Sequence, residues 1–260
     1  PFQYMMLRFS LLLALLWPFL RLPQAGQWPR LIAVALFMGA VHFTLLFWAL
    51  ARSADVSSVA IVQQTYIPMA VLLAMGLMGE RVGWITLGAV LVSFTGVLLV
   101  GFDPVVLRQP DVLAITLASA LFQALGSIYQ RGLTGISVAN YQAWTALIAL
   151  PVMLIASLLT EQGQWETIRS AQWIHWASLC YSVFLASLVG HGLFFVLVQR
   201  NPVSHVMPYL QLTPVIAVIS GILVWGDEPG VRLLAGGFLV ISGILIITLR
   251  ARKKVADRRA

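Results

Sequence analysis

Long apolar segments separated by short polar turns make up most of this sequence and decide its fold class. Of the 260 residues, 60% are hydrophobic and only 10% are charged, whereas a soluble domain has roughly 25% charged residues. The apolar segments are about 20 residues long, which is the length of a helix that crosses a lipid bilayer. Because hydrocarbon offers no partner to backbone N–H and C=O groups, each segment is expected to be an α-helix.

Hydropathy and turn-forming residues predict an all-α polytopic membrane bundle with nine transmembrane helices in this sequence. The connections are short, and none is long enough for a soluble domain. The longest polar break, 161–172, contains Trp165 and is followed by Trp173 and Trp176, a pattern typical of a membrane interface. The nine predicted helices are 2–20, 30–50, 56–78, 83–102, 111–131, 138–159, 174–198, 203–225 and 230–249.

The net charge of +7 is concentrated at the carboxyl end, where the tail 250–260 contains six of the sixteen Lys and Arg residues. A short basic run beside an apolar span is typical of an orientation signal or a contact with anionic lipid, so nucleic acid is excluded as a partner. With the tail in the cytoplasm, eleven basic residues lie on the cytoplasmic side and four on the other. This distribution predicts a multi-pass inner-membrane protein with a cytoplasmic C-terminus.

An internal repeat relates the two halves of the chain. The segment from Pro68 to Glu80 resembles the segment from Pro214 to Asp227, since each runs from a proline through an apolar helix to a glycine and an acid. Four further pairs match at a constant spacing of 147 positions: Gly83 with Gly230, Leu87 with Leu234, Gly96 with Gly243 and Leu98 with Leu245. Because the matches fall on turn positions as well as on apolar ones, they indicate a duplication.

The repeat predicts a ten-helix protein. The first four helices match the last four and leave the helix at 111–131 without a partner, so we expect a further helix before Pro1. A repeat of five helices must cross the membrane in opposite directions in its two copies, and inverted repeats are typical of secondary transporters. The predicted domains are a first repeat at 1–103, a second repeat at 111–249 and a basic cytoplasmic tail at 250–260.

The chain resembles the EamA family of the drug/metabolite transporter superfamily. The resemblance is carried by Leu7-Arg8-Phe9 and by two copies of the pattern of proline, apolar helix, Gly-acidic turn and glycine-rich helix, at Pro68–Gly101 and Pro214–Thr248. It implies two inverted five-helix repeats, both termini in the cytoplasm, and export of amino acids or other metabolites.

Polar side chains inside the spans are the candidate substrate-binding residues, because burying them in lipid is costly. His42 and His191 occupy matching places in the two repeats, where they could line a cavity, bind a substrate carboxylate or bind a coupling proton; helix packing is the alternative. Arg8 could bind a carboxylate, or it could reach the membrane interface. The complete set is Arg8, His42, Gln64, Tyr66, Trp144, His191, Tyr209 and Gln211.

The remaining members of this set lie beside prolines or among aromatic residues. Gln64 and Tyr66 precede Pro68, and Tyr209 and Gln211 precede Pro214, where a loosened backbone could bind a polar solute or could form a kink. Trp144 could stack on a substrate or pack against a neighbouring helix.

The spans contain no deep acid and no cluster of Lys and Arg, which argues against organic-cation exchange and against phosphorylated substrates. We therefore predict a transporter that exports small metabolites by alternating access, with amino acids, including aromatic ones, as the first expected substrates. A channel for small neutral solutes is an alternative. An intramembrane enzyme is a weaker alternative, because the sequence has neither HExxH nor GxSxG.

No cofactor or metal is expected. The expected partners are a small-molecule substrate and the lipid bilayer, and we expect a monomer.

Overall fold

The computed structural model describes residues 2–24, 26–53, 56–101, 109–213, 215–216 and 231–256. Within these ranges every regular element is helical, as the sequence predicts. The α-helices are α1 (Phe2–Leu16), α2 (Trp28–Val34), α3 (His42–Arg52), α4 (Val56–Gln63), α5 (Tyr66–Met78), α6 (Trp84–Gly101), α7 (Pro110–Arg131), α8 (Val138–Thr160), α9 (Gln164–Arg169), α10 (Trp173–Tyr181), α11 (Gly192–Arg200), α12 (Val203–Leu210) and α13 (Val231–Ala256). Two π-helical segments, π1 (Ala35–Val41) and π2 (Ser182–His191), join α2 to α3 and α10 to α11.

Several helices are long and apolar enough to cross a membrane. In the described part of the chain, six spans meet both conditions: Phe2–Phe19, Trp28–Arg52, Val59–Met78, Pro110–Arg131, Val138–Thr160 and Trp173–Arg200. Two shorter apolar stretches lie in α6 and α13. The end of the span expected at 203–225 lies outside the described residues, so the count of nine stays a prediction. The protein is a multi-pass helical membrane protein.

The helices form two compact units, and each unit contains helices from both halves of the sequence. Unit 1 comprises Pro1–Ala51 and Leu125–Arg200, and unit 2 comprises Arg52–Ala124 and Asn201–Ala260. The predicted repeats at 1–103 and 111–249 divide the chain differently from these two units, and they stay a prediction.

The core of unit 1 is built where α1 packs along α8. Large apolar residues recur every three or four positions on α1, which places them on one face of the helix. They contact small residues of α8 and so bring the two helices close together. The stripe on α1 is Phe2, Met5, Phe9, Leu12 and Leu16, and its buried neighbours on α8 include Ala143, Ala146, Ala149 and Met153.

The core of unit 2 contains a close crossing of α6 and α13. A Cβ atom built on Gly96 would lie 2.6 Å from the carbonyl oxygen of Gly236, and one built on Gly243 would lie 2.6 Å from that of Ala89. The later glycine on α6, Gly96, contacts the earlier part of α13, whereas the earlier residue Ala89 contacts the later Gly243, so the two helices are antiparallel. These contacts are also reciprocal, because Gly96 and Gly243 are 147 positions apart, as are Ala89 and Gly236.

Two carboxylates complete helix ends within their own units. Glu161 accepts hydrogen bonds from the backbone N–H groups of Phe2 and Gln3 at 2.9 and 2.8 Å. Glu80 accepts from the N–H groups of Val203 and Ser204 at 3.0 and 3.1 Å. The first turn of a helix has N–H groups without internal partners, and these contacts satisfy two of them in each helix.

Candidate solute-binding residues in the two units

Arg8 is a buried cation on α1 in unit 1. Its side chain is 7% exposed, and its Nε and Nη2 atoms donate to the Ser187 hydroxyl at 3.0 and 2.8 Å. Its Nη1 atom contacts the sulfur of Met5 at 3.8 Å. No carboxylate among the described residues lies within ion-pair distance of the guanidinium. A charge buried without a counter-ion is costly, which makes this position a candidate for binding an anionic group.

The π2 segment presents the partner of Arg8. Its Ser187 hydroxyl donates to the Ser182 carbonyl at 3.0 Å, five residues earlier in the chain. One residue further on, the Leu188 carbonyl accepts from Nε2 of Gln142 on α8 at 3.5 Å. Polar side chains of α1 and α8 therefore fix adjacent residues of π2. π-helical segments are often found at functional sites.

Both predicted histidines lie with Arg8 around the ring of Phe43. The Arg8 guanidinium lies 5.3 Å from the centre of this ring, in a cation–π contact. The ring centres of His42 and His191 lie 4.8 and 6.4 Å from it. His42 is 5% exposed and follows π1, whereas His191 ends π2. The structure thus brings together three of the eight predicted residues.

Trp144 makes a different set of contacts in unit 1. Its indole Nε1 donates to the Arg21 carbonyl at 3.0 Å, and its ring meets that of Trp28 edge-on, with centres 4.8 Å apart. These contacts connect the start of α8 with the turn after α1 and with α2. A role of Trp144 in stacking on a substrate stays a prediction.

In unit 2, Gln64 and Tyr66 lie at a break between α4 and α5. The N–H groups of Gln64 and Thr65 donate three residues back, to Ile61 and Val62, so the helix tightens before Pro68. Beside the break, Nε2 of Gln63 donates to Oε1 of Gln123 at 2.8 Å. The Oε1 atom of Gln63 and the hydroxyl of Thr65 are buried without hydrogen-bond partners. Discontinuous helices of this kind form polar sites in many transporters.

Gln211 lies at the corresponding place after α12, 147 positions from Gln64. The residue is completely buried; its Oε1 atom accepts from the Ser93 hydroxyl, while its Nε2 atom has no partner. Tyr209 is 42% exposed, and its hydroxyl pairs with that of Thr248 at 2.9 Å. The binding roles of Gln64, Tyr66, Tyr209 and Gln211 stay predictions.

The sequence reasoning did not select Ser187, Phe43 or Gln142. Ser187 lies four residues before His191, one helical turn away, and Phe43 directly follows His42. Spacing from the predicted histidines was therefore a signal that could have found two of them. Among the described residues, no group of three His, Cys, Asp or Glu side chains comes together to hold a metal ion.

The Glu80 carboxylate lies in the turn after α5 and accepts hydrogen bonds from the start of α12. Asp227, its counterpart in the predicted repeat, lies outside the described residues.

Two named relatives and one solved structure show what this chain is similar to. A "Probable amino-acid metabolite efflux pump" of Escherichia coli K12 is 28% identical over 237 residues, covering 86% of this chain and 79% of that protein. A "Probable terminal-alkyne amino-acid exporter" of Streptantibioticus cattleyicolor is 26% identical over 185 residues, covering 70% of this chain and 60% of that protein. A crystal structure with 18% identity has a TM-score of 0.80 and covers 97% of this chain and 88% of its own, which shows a shared fold.

The model of the EamA-like transporter family matches residues 1–102 and 111–249, which is most of the chain. The chain therefore belongs to the EamA-like transporter family and is a transmembrane transporter, not an enzyme.

Proposed function

We propose that this protein exports amino acids and related metabolites, and that Arg8 binds the substrate carboxylate. The observation that carries the proposal is a buried guanidinium whose described partners are a serine hydroxyl, a thioether and an aromatic ring. A guanidinium binds a carboxylate through two parallel hydrogen bonds, and Ser187 occupies one of the two edges that can make them, the edge of Nε and Nη2. The other edge, formed by Nη1 and Nη2, has only the thioether of Met5 as a described partner of Nη1, and we place the substrate carboxylate there.

The aromatic and histidine side chains around Arg8 support an amino acid with an apolar or aromatic side chain. Phe43 offers a ring face, and His42 and His191 offer nitrogen atoms that donate or accept. The names of the relatives, an amino-acid metabolite efflux pump and an amino-acid exporter, support the same substrate class.

Alternating access between two inverted repeats is the proposed mechanism. The contacts of Gly96 and Gly243 support the inversion. Gly96 on α6 contacts Gly236 on α13, and their equivalents in the repeat, Gly243 and Ala89, contact each other in the same way with the two helices antiparallel. The excess of basic residues at the carboxyl end supports a cytoplasmic C-terminus in the inner membrane. The names of the relatives, an efflux pump and an exporter, support transport from the cytoplasm outwards.

Counterflow into proteoliposomes tests this function. Vesicles loaded with unlabelled phenylalanine should accumulate labelled phenylalanine transiently, and the flux should saturate. Phenylalaninamide, which lacks the carboxylate, should compete about tenfold more weakly than phenylalanine, because a charged hydrogen bond contributes about 1.5–3 kcal/mol. Equal competition would remove the assigned role of Arg8. Flux without saturation or counterflow would indicate a channel, and exchange of another solute class without amino acids would overturn the substrate assignment.

A further inference from the structure

A cavity of about 270 Å³ lies in unit 1, and its wall shares no residue with the group around Phe43. The start of α1, helix α9 with the turn after it, and the start of α10 form its wall. The volume is close to the lower end of the range for ligand pockets, which is roughly 300–1,000 Å³. Its apolar wall includes Tyr4, Leu7, Ile168, Ala171, Trp176 and Leu179.

The polar side chains in the wall of this cavity already have partners within the protein. Each makes a hydrogen bond with a nearby backbone group, so these bonds leave the cavity suited to an apolar ligand. The bonds are Gln3 Nε2 to Gln164 O at 2.7 Å, Tyr4 Oη to Ser178 O at 3.1 Å, Thr167 Oγ1 to Gly163 O at 3.0 Å, Ser170 Oγ to Glu166 O at 2.8 Å, and Gln172 N to His175 Nδ1 at 3.0 Å.

The surroundings of the cavity have the character of a membrane interface. Trp165, Trp173 and Trp176 are 61, 77 and 41% exposed, and tryptophan is enriched at the level of lipid headgroups. Arg169 lies between two residues of the cavity wall, Ile168 and Ser170. Its guanidinium stacks on the ring of Trp165 at 4.9 Å, and no carboxylate among the described residues pairs with it. An exposed cation is therefore adjacent in sequence to two residues of the cavity wall.

We propose that this cavity binds an acyl chain of one phospholipid, whose phosphate pairs with Arg169. An acyl chain needs no hydrogen-bonding partners, which matches the wall, and an arginine fork matches the geometry of a phosphate. The stacking on Trp165 holds the guanidinium at the interface, where the headgroup of such a lipid lies. The bound lipid would brace α9 against α1 and α10.

Native mass spectrometry of the full chain, purified in detergent and supplied with phosphatidylglycerol, tests this proposal. Wild-type protein should retain one more phospholipid under activating conditions than either of two variants. Ala171→Trp fills the cavity, and Arg169→Gln removes the charge while leaving the cavity open. Each variant should lower the fraction of protein that retains this lipid about tenfold. The reason is the loss of a charged hydrogen bond in Arg169→Gln and the loss of the site itself in Ala171→Trp.

Arg81→Gln is the matched control, because it removes an exposed arginine in unit 2 between α5 and α6. It should retain lipid as the wild type does. Retention of lipid by both cavity variants would overturn the proposal, as would an equal loss in the control. If only Ala171→Trp loses the lipid and Arg169→Gln retains it, the proposed contact between the phosphate and Arg169 is wrong. This conclusion does not depend on how well Ala171→Trp folds, because it rests on Arg169→Gln, which changes only an exposed side chain. Displacement of the lipid by saturating phenylalanine would show that the cavity binds transported solute instead.

Discussion

The two units bury their polar groups in different ways. In unit 1, a cation on α1 is held against a π-helical segment by the Ser187 hydroxyl. In unit 2, the polar side chains at the helix breaks are amides and hydroxyls, including the half-buried Gln63 and the completely buried Gln211. Each unit contains helices from both halves of the sequence, so the half from which a helix comes does not decide this difference. The difference lies in single residues, Arg8 in unit 1 and Gln211 in unit 2.

The two units also differ in how their helices approach each other. In unit 1, large side chains of α1 lie on alanines of α8, and such a contact can adjust through side-chain rotation. In unit 2, the backbone of α6 lies directly against that of α13 at Gly96 and Gly243. A backbone contact has no flexible side chain to move, so unit 2 should tolerate enlargement far less well.

The largest effect is expected for Gly96→Leu. The new side chain would meet the Gly236 carbonyl at 2.6 Å and the Val240 nitrogen at 2.8 Å, so the crossing must separate. We expect a loss of more than about 3 kcal/mol and little folded protein, measured by yield and by thermal unfolding in detergent. Gly88→Ala on the same helix is the control, since a Cβ there meets nothing within 4 Å. If Gly96→Leu is as stable as this control, the contrast between the units disappears.

The next effect is on export and concerns Arg8→Gln. Glutamine keeps a donor for Ser187 but removes the charge, so saturable export should fall about 10- to 100-fold. Thermal stability should stay the same or rise, because a buried cation without a carboxylate partner is removed. Competition by phenylalanine and phenylalaninamide should become equal in the residual flux. A large drop in melting temperature with normal export by the surviving protein would make Arg8 a structural residue.

A smaller effect is expected for each helix-end carboxylate, and it should stay within one unit. Glu80→Ala removes the acceptor for two N–H groups of α12, and Glu161→Ala does the same for α1. The cost should be about 1–2 kcal/mol of local opening free energy. Hydrogen exchange should therefore rise at the start of α12 in the first variant and at the start of α1 in the second. Faster exchange at both places in either variant would show that the two caps are not independent.

Much of the fold follows from the sequence because lipid imposes strong constraints. The apolar runs had to be helices, and the predicted spans 2–20, 56–78, 111–131 and 138–159 all contain long apolar helices. The spacing of 147 positions also relates residues that are in contact. Gly96 contacts α13 at Gly236, and Gly243 contacts α6 at Ala89, 147 positions before Gly236. Hydropathy could not predict the packing units, because helix neighbours depend on three-dimensional contacts between both halves of the chain.

The site was predictable only in part. Depth in the membrane identifies polar residues whose burial is costly, but it does not identify the residues that they contact. This reasoning found Arg8, His42 and His191, which gather around Phe43. It did not find the π-helical turn that presents Ser187, since hydropathy does not distinguish π from α hydrogen bonding. Trp144, chosen for its depth, binds the Arg21 carbonyl instead of joining this group.

The smallest expected effect concerns Gln211, where the site is uncharged. Gln211→Leu removes a completely buried amide whose Nε2 atom has no partner, so stability should change by less than about 1 kcal/mol. Without Gln211, the Ser93 hydroxyl can donate its one proton to the Val90 carbonyl, 3.1 Å away. If the free Nε2 donates to the solute, as the sequence predicts, counterflow affinity should fall about three- to tenfold, the range for one neutral hydrogen bond.

The comparison with Arg8→Gln then separates the two kinds of binding. The charged contact in unit 1 should distinguish phenylalanine from phenylalaninamide, whereas Gln211→Leu should weaken both competitors equally, because a neutral donor does not require a carboxylate. Val206→Ala, a buried apolar change on α12, is a suitable control for indirect effects of repacking. If Gln211→Leu changes export no more than Val206→Ala does, Gln211 is a packing residue at the helix break, and the described partner of its side chain is Ser93.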